Sequence, residues 1–161
     1  MKKLISLSLS AMLALGLAAC SGQSDELVLT MGELALPDSS EATVDTVAQA
    51  VSDSLGGGFE TIQVGTGDNS VSVGLSSTGV GDLASKADSG DEEAVAEWQA
   101  LADSVTSVCS TIRSDLDDAG LNDMSIAFTV TNDLDSEYVL LTVQDGSVVF
   151  DVLDGFPGVD F

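Results

Sequence analysis

The sequence contains no histidine, which excludes the most frequent designs of hydrolytic active site. A Ser-His-Asp or Cys-His centre needs an imidazole to take the proton of the nucleophile, and zinc loses its commonest ligand.

Basic residues are also scarce, since four Lys and Arg stand against 27 Asp and Glu, for a formal net charge of −23 at pH 7. A surface of this charge repels nucleic acid and attracts cationic partners or metal ions. We therefore expect no nucleic-acid partner, and either a cationic protein or peptide as partner or an acidic surface that serves only solvation.

The amino-terminal segment has the pattern of a secretory signal. Met1 is followed by Lys2 and Lys3 and then by an uncharged, largely apolar run that is too short for a membrane span. The run ends in Leu17-Ala18-Ala19-Cys20, which resembles the lipobox of bacterial lipoproteins. In that family the cysteine is acylated on sulfur, and the signal is cut off just before it. An ordinary signal peptide with a coincidental cysteine is the alternative.

The lipobox resemblance implies both a location and a domain plan. Residues 1–19 would be the signal peptide, Cys20 the lipidation site, and residues 20–25 a small polar tether. The mature protein would be lipid-anchored to the membrane in the bacterial cell envelope, on the extracytoplasmic side. Residues 26–161 remain for a single domain, with enough apolar content for a real core.

The second cysteine has no partner within the chain if Cys20 carries lipid. Cys109 shares a spacing of threes and fours with Trp98, Leu101, Val105 and Ile112, which is typical of one face of a helix. We therefore expect Cys109 to be a small buried hydrophobe rather than a nucleophile or a redox centre.

The apolar pattern predicts two helices and several short strands. One helix follows Asp38, a candidate N-cap, and ends at the glycines 56–58; the other begins near Ser89, with Glu92 at capping-box spacing, and ends at Gly120. Alternating apolar residues predict an edge strand at 26–31, a hairpin over 59–76, and three strands over 124–153. The Gly- and Ser-rich stretch 76–90 is typical of a loop.

These elements predict an α+β domain. An antiparallel sheet with one apolar face needs cover, and two helices with one apolar stripe each can provide it. We expect a two-layer sandwich, with five or six antiparallel strands and both helices on one face. The order of elements suggests a degenerate αββ duplication, with half-repeats at 38–76 and 89–153. The helix-plus-hairpin unit ending in "DGSVVFDVLDG" resembles PepSY domains in topology only, without their Asp-x-x-Thr-Gly pattern, so no function is transferred from them.

Two groups of acidic residues are candidate calcium ligands. Asp115 and Asp117 lie near the end of the long helix, and Asp133, Asp135 and Glu137 occupy alternate positions of a turn. Three carboxylates of such a turn could share a cation if the turn curls, because calcium takes oxygen ligands. A solvated turn and a frayed acidic helix end are the alternatives.

The sequence leaves three functional hypotheses. The first is a non-catalytic binding or structural module tethered to the membrane, because no catalytic constellation is visible. The second is a lipoprotein that binds calcium with low affinity through the five carboxylates named above; no other cofactor is expected. The third and most remote is a hydrolase built on two carboxylates, which would need one of them held protonated in an apolar pocket.

Overall fold

The computed structural model describes residues 26–154, so the predicted signal peptide and tether lie outside it. These residues form three helices and seven strands. In chain order they are β1 Leu29–Met31, α1 Val44–Ser54, β2 Leu55–Gly57, β3 Thr61–Thr66, β4 Ser70–Ser76, α2 Val80–Asp88, α3 Glu92–Asp118, β5 Ser125–Thr131, β6 Val139–Gln144 and β7 Ser147–Asp151. The predicted α+β class is therefore confirmed.

The main sheet has five strands in the order β3-β4-β5-β6-β7, and one of its strand pairs is parallel. Three neighbouring pairs are antiparallel, whereas β4 and β5 run parallel, with Val73 opposite Phe128. The expectation of a wholly antiparallel sheet is thus wrong at its centre. The physical reason is the connection: α2 and α3 carry the chain back along the sheet between β4 and β5, which a parallel pair requires.

The described residues contain three helices, and the expectation of two is wrong because α2 occupies the predicted loop 76–90. Val80, Leu83, Ala84 and Ala87 are its buried residues, and they follow helical spacing. The glycine and serine residues around this short apolar stripe favour a loop, so the sequence pattern does not indicate a helix here. Gly79 begins the helix with φ of 88°, a left-handed conformation that glycine adopts without strain.

The predicted first edge strand does not join the main sheet. β1 pairs with β2 in a separate two-stranded sheet, with Leu29 opposite Gly57. The backbone N–H of Leu29 also donates to the Ser104 hydroxyl of α3 at 3.0 Å, and the Leu29 side chain is buried. The amino-terminal part of the domain is thereby fixed against α3.

One apolar face of the main sheet packs against α1 and α3, as the two-layer prediction requires. Inward residues of β4 and β5 are fully buried, among them Val71, Val73 and Phe128, and they belong to one hydrophobic cluster with Val51 of α1 and Trp98 of α3. α1 contacts β3 and β4, and α3 contacts β5 to β7. Both helices therefore bury their apolar stripes against the same core.

The predicted Asp-Gly hairpin is confirmed, but the strand that follows it differs from the prediction. Asp145 and Gly146 have φ of 49° and 80°, which suits a tight turn between β6 and β7. A register shift in β7 then places Phe150 opposite Thr142, and Asp151 opposite the buried Leu141. An aspartate thus faces the core where simple alternation predicts Phe150.

Candidate functional site

One concave surface of the described region is an acidic groove, with a volume of about 990 Å³. It opens between the segment before β1, the loop from β4 to α2, and the facing sides of α2 and the first turns of α3. Six carboxylate residues line it, namely Glu26, Glu60, Asp82, Asp91, Glu93 and Glu97. We call this surface the acidic groove.

Helix geometry places three of these carboxylates at the start of α3. Asp91 is the N-cap, and its Oδ1 accepts from the backbone N–H groups of Glu93 at 3.1 Å and Ala94 at 3.0 Å. Glu93 and Glu97 lie four residues apart and therefore on the same side of the helix, and both are exposed. Asp91 caps two amides of the helix, and Glu93 and Glu97 line the groove.

Glu60 joins the opposite wall through two hydrogen bonds. Its Oε2 accepts from the Thr78 hydroxyl at 2.8 Å and from the Thr78 backbone N–H at 3.2 Å. The Ser77 hydroxyl nearby donates to the Gly58 carbonyl. These bonds tie the loop before α2 to the start of β3, so the wall of the groove has a defined shape.

Lys86 is the only basic residue among the described residues that line the groove. Its ammonium donates to Asp82, with 2.7 Å between Nζ and Oδ2, and both side chains are more than half exposed. The hydrogen bond and the charge of Asp82 raise the pKa of Lys86. Lys86 thus neutralises one carboxylate, and the others keep an excess of negative charge.

The helix α2 is held in place by a residue far away in the chain. Gly79 has no side chain with which to cap the helix, and instead Asp133 accepts from the backbone N–H groups of Gly79 and Gly81, each at 3.0 Å. These two hydrogen bonds lower the pKa of Asp133. A Cβ at Gly81 would lie 2.6 Å from the Asn132 side chain, which would then have to shift.

The acidic turn proposed as a calcium site uses its carboxylates differently. Asp133 is engaged by α2, and Asp135 accepts from the Glu137 backbone N–H at 3.1 Å. The Glu137 side chain is exposed. Within residues 26–154, no three potential ligands among His, Cys, Asp and Glu come close enough to hold a metal ion.

The carboxylates at the end of α3 are separate from that turn. Asp117 forms a salt bridge with Arg113, whose guanidinium also donates to the Met124 carbonyl. Burial and the charge of Asp118 raise the pKa of Asp115. Acidic residues at a helix C-terminus oppose the helix dipole, and here the Arg113 guanidinium offsets the charge of Asp117.

Cys109 lies in the core, as predicted, with no exposed surface. Burial raises the pKa of its thiol, and the Gly146 backbone N–H donates to its sulfur at 3.2 Å. A buried, protonated thiol is a poor nucleophile. Cys109 therefore acts as a packing residue between α3 and the β6–β7 turn.

A buried carboxylate on β7 went unnoticed at the level of the sequence. Asp151 is only 8% exposed, and both its oxygens accept from the Trp98 indole N–H, at 3.1 and 3.2 Å. Its Oδ1 also accepts from the Leu153 backbone N–H at 2.9 Å. Trp98 was expected on the core face, but its partner is 53 positions away and is turned inward by a register shift.

The acidic groove was also missed, although part of its signal is visible in the sequence. The stretch "DSGDEEAVAE" places Asp91, Glu93 and Glu97 around a helix start. The other wall needs Glu26, Glu60 and Asp82, which come together only through the fold. Acidic residues are so frequent in this chain that no local pattern distinguishes these six.

No family model, curated protein or solved structure matches this chain. Across residues 26–154, none of the helices combines the length and the apolarity that a membrane span needs. The candidate site therefore has to be interpreted from its own geometry and charge.

Proposed function

We propose that this protein is an extracytoplasmic lipoprotein, anchored to the membrane through Cys20, that binds a cationic protein or peptide segment and catalyses no reaction. The observation that carries the binding role is the acidic groove, where six carboxylates face one lysine. The support for the anchor is the resemblance of Leu17-Ala18-Ala19-Cys20 to a lipobox.

The groove suits a basic segment by charge and by size. Its volume of about 990 Å³ lies at the upper end of the range usual for ligand pockets, and the groove is open rather than enclosed. An extended peptide can therefore lie in it with its lysine or arginine side chains near the carboxylates. Charged rims of this kind raise association rates and give specificity, and their effect weakens as salt increases.

Exposure of the carboxylates argues for binding rather than hydrolysis. A carboxyl group that acts as a general acid needs an apolar pocket that keeps it protonated. Glu60, Glu93 and Glu97 are all exposed to solvent. Asp151 is buried, but it bonds to Trp98 inside the core and does not line the groove.

The binding proposal is tested with paired substitutions on α3. Glu93→Gln with Glu97→Gln removes two charges from the groove, and Asp103→Asn with Asp118→Asn removes two exposed charges from the same helix outside it. We expect the groove pair to weaken the binding of a dye-labelled oligolysine about threefold to tenfold in fluorescence anisotropy, and the control pair to change it little. Equal weakening by both pairs would mean that only total charge matters, and would overturn the proposal.

The anchor is tested by detergent partition and mass spectrometry after expression in a bacterial host. The wild-type protein should enter the detergent phase and carry acyl chains on its amino-terminal peptide. Cys20→Ser should stay in the aqueous phase, whereas Cys109→Ala, the matched cysteine control, should partition like the wild type. An unmodified Cys20 in the wild-type protein would contradict the anchor without affecting the groove.

A further inference from the structure

The turn between β5 and β6, which is hydrogen-bonded to the wall of the acidic groove through Asp133, exposes two large apolar side chains. Leu134 is 89% exposed and Tyr138 is 55% exposed. Among residues 26–154, the only other large hydrophobic side chain that is exposed is Val149, on β7. Single exposed hydrophobes are ordinary, but here two lie four positions apart on one short turn. We call Leu134 and Tyr138 the apolar pair.

The turn that carries the apolar pair has a defined conformation. The Leu134 backbone N–H donates to Asn132 Oδ1 at 2.8 Å, and the Tyr138 N–H donates to the Asp135 carbonyl at 2.9 Å. The Asn132 N–H in turn donates to the Tyr138 carbonyl. A partner would therefore meet the apolar pair on a preformed turn, with little ordering cost.

The same turn is joined to the wall of the groove. Asp133, directly before Leu134, accepts from the backbone N–H of Gly79 at 3.0 Å, and Gly79 lines the groove. A ligand that extends past this end of the groove thus reaches the turn. Tyrosine is also among the residues most often found at the centre of binding interfaces.

Charge decides which occupant fits this surface. Asp135 and Glu137 lie between Leu134 and Tyr138 on the turn and are exposed, so an anionic lipid surface would be repelled. A second copy of the chain would bring the same excess of acid, since only Lys86 and Arg113 are basic beyond the predicted signal. A segment that carries both basic and apolar residues is not repelled by the acidic surface, and it can still pack against Leu134 and Tyr138.

We infer that the ligand of the acidic groove is an amphipathic cationic segment, whose basic residues face the groove carboxylates and whose apolar residue packs on Leu134 and Tyr138. This inference rests on the proposed function and specifies the class of its partner. Burial of one apolar side chain against the pair adds affinity that pure charge does not supply.

The test compares two labelled nonapeptides of equal charge on the mature protein. Both contain six lysines, and the remaining positions are glycine in one peptide and leucine in the other. We expect the leucine peptide to bind about tenfold more tightly than the glycine peptide. Leu134→Ser with Tyr138→Ser should remove most of this advantage and leave the glycine peptide unaffected, while Val149→Ser, the matched exposed control, should preserve the advantage.

The outcomes separate this inference from the proposed function. If the glycine peptide binds through Glu93 and Glu97 but leucine adds nothing, or its advantage survives the double substitution, the inference fails and the proposed function stands. If neither peptide binds, both fail. Two further outcomes would also overturn the inference. The first is self-association of the chain that is lost when Leu134 and Tyr138 are substituted. The second is binding of the unlipidated chain to phosphatidylglycerol vesicles that is lost in the same way, because either result would mean that the apolar pair has a different occupant.

Discussion

At the scale of single residues, the contact between Trp98 and Asp151 joins two buried side chains from distant parts of the chain. The carboxylate is buried on β7 and receives its hydrogen bonds from the Trp98 indole and the Leu153 backbone N–H. A buried acceptor that loses its donor keeps the cost of desolvation without the compensating bond. This hydrogen-bonded pair therefore joins α3 to the edge strand β7, and the loss of Trp98 leaves the Asp151 carboxylate without its indole donor.

Trp98→Phe should lower the free energy of unfolding by roughly 1–3 kcal/mol, because it removes the indole donor and leaves the buried carboxylate undersatisfied. Urea denaturation followed by far-UV circular dichroism measures this loss. The double variant Trp98→Phe with Asp151→Leu should lose less than the sum of the two single variants, because it removes both partners. Simple additivity would contradict a direct coupling between the two side chains.

At the scale of elements, α2 depends on the turn between β5 and β6. The first amides of α2 have no capping side chain of their own and bond to Asp133, which is 54 positions from Gly79. This explains why the sequence predicted a loop at 76–90. Local residues there are small and rich in glycine, and the cap that completes the helix comes from another part of the chain.

Asp133→Ala should destabilise the protein by about 1 kcal/mol near neutral pH, a typical value for the loss of a helix cap. The folded structure lowers the pKa of Asp133 below its ordinary value of 3.8. Its contribution is therefore fully present above that value and is lost as the pH falls through the folded-state pKa. Urea midpoints of variant and wild type should differ at pH 7 and converge at strongly acidic pH, and a difference that persists in acid would contradict the role of the ionised carboxylate. Glu137→Ala, on the same turn, is the control.

At the scale of the whole molecule, the excess of negative charge affects stability. Like charges repel one another in the compact state, and added salt screens them. The melting temperature should therefore rise with sodium chloride.

The calcium hypothesis stays a separate prediction with its own test: calcium and magnesium at equal concentration should shift the melting temperature equally if they act only by screening. A shift specific to calcium would favour that alternative.

The sequence was sufficient for what local periodicity determines, namely the α+β class, the long helix around Cys109 and the Asp-Gly turn. Contacts between distant segments were not accessible from it. The parallel pairing of β4 with β5, the inward turn of Asp151 and the cap of α2 by Asp133 each depend on residues far apart in the chain. The αββ duplication stays a prediction, because the two half-repeats share no sequence motif that would establish it.

The most direct test of the proposed binding role is to locate a cationic ligand on the protein. Backbone amide signals of the isotope-labelled protein would be followed by NMR during titration with oligolysine. We predict that the largest shifts fall on the walls of the acidic groove, at residues such as Glu60, Thr78, Glu93 and Glu97. Shifts of equal size over the whole acidic surface, including Asp118 and Asp123, would contradict a defined binding groove.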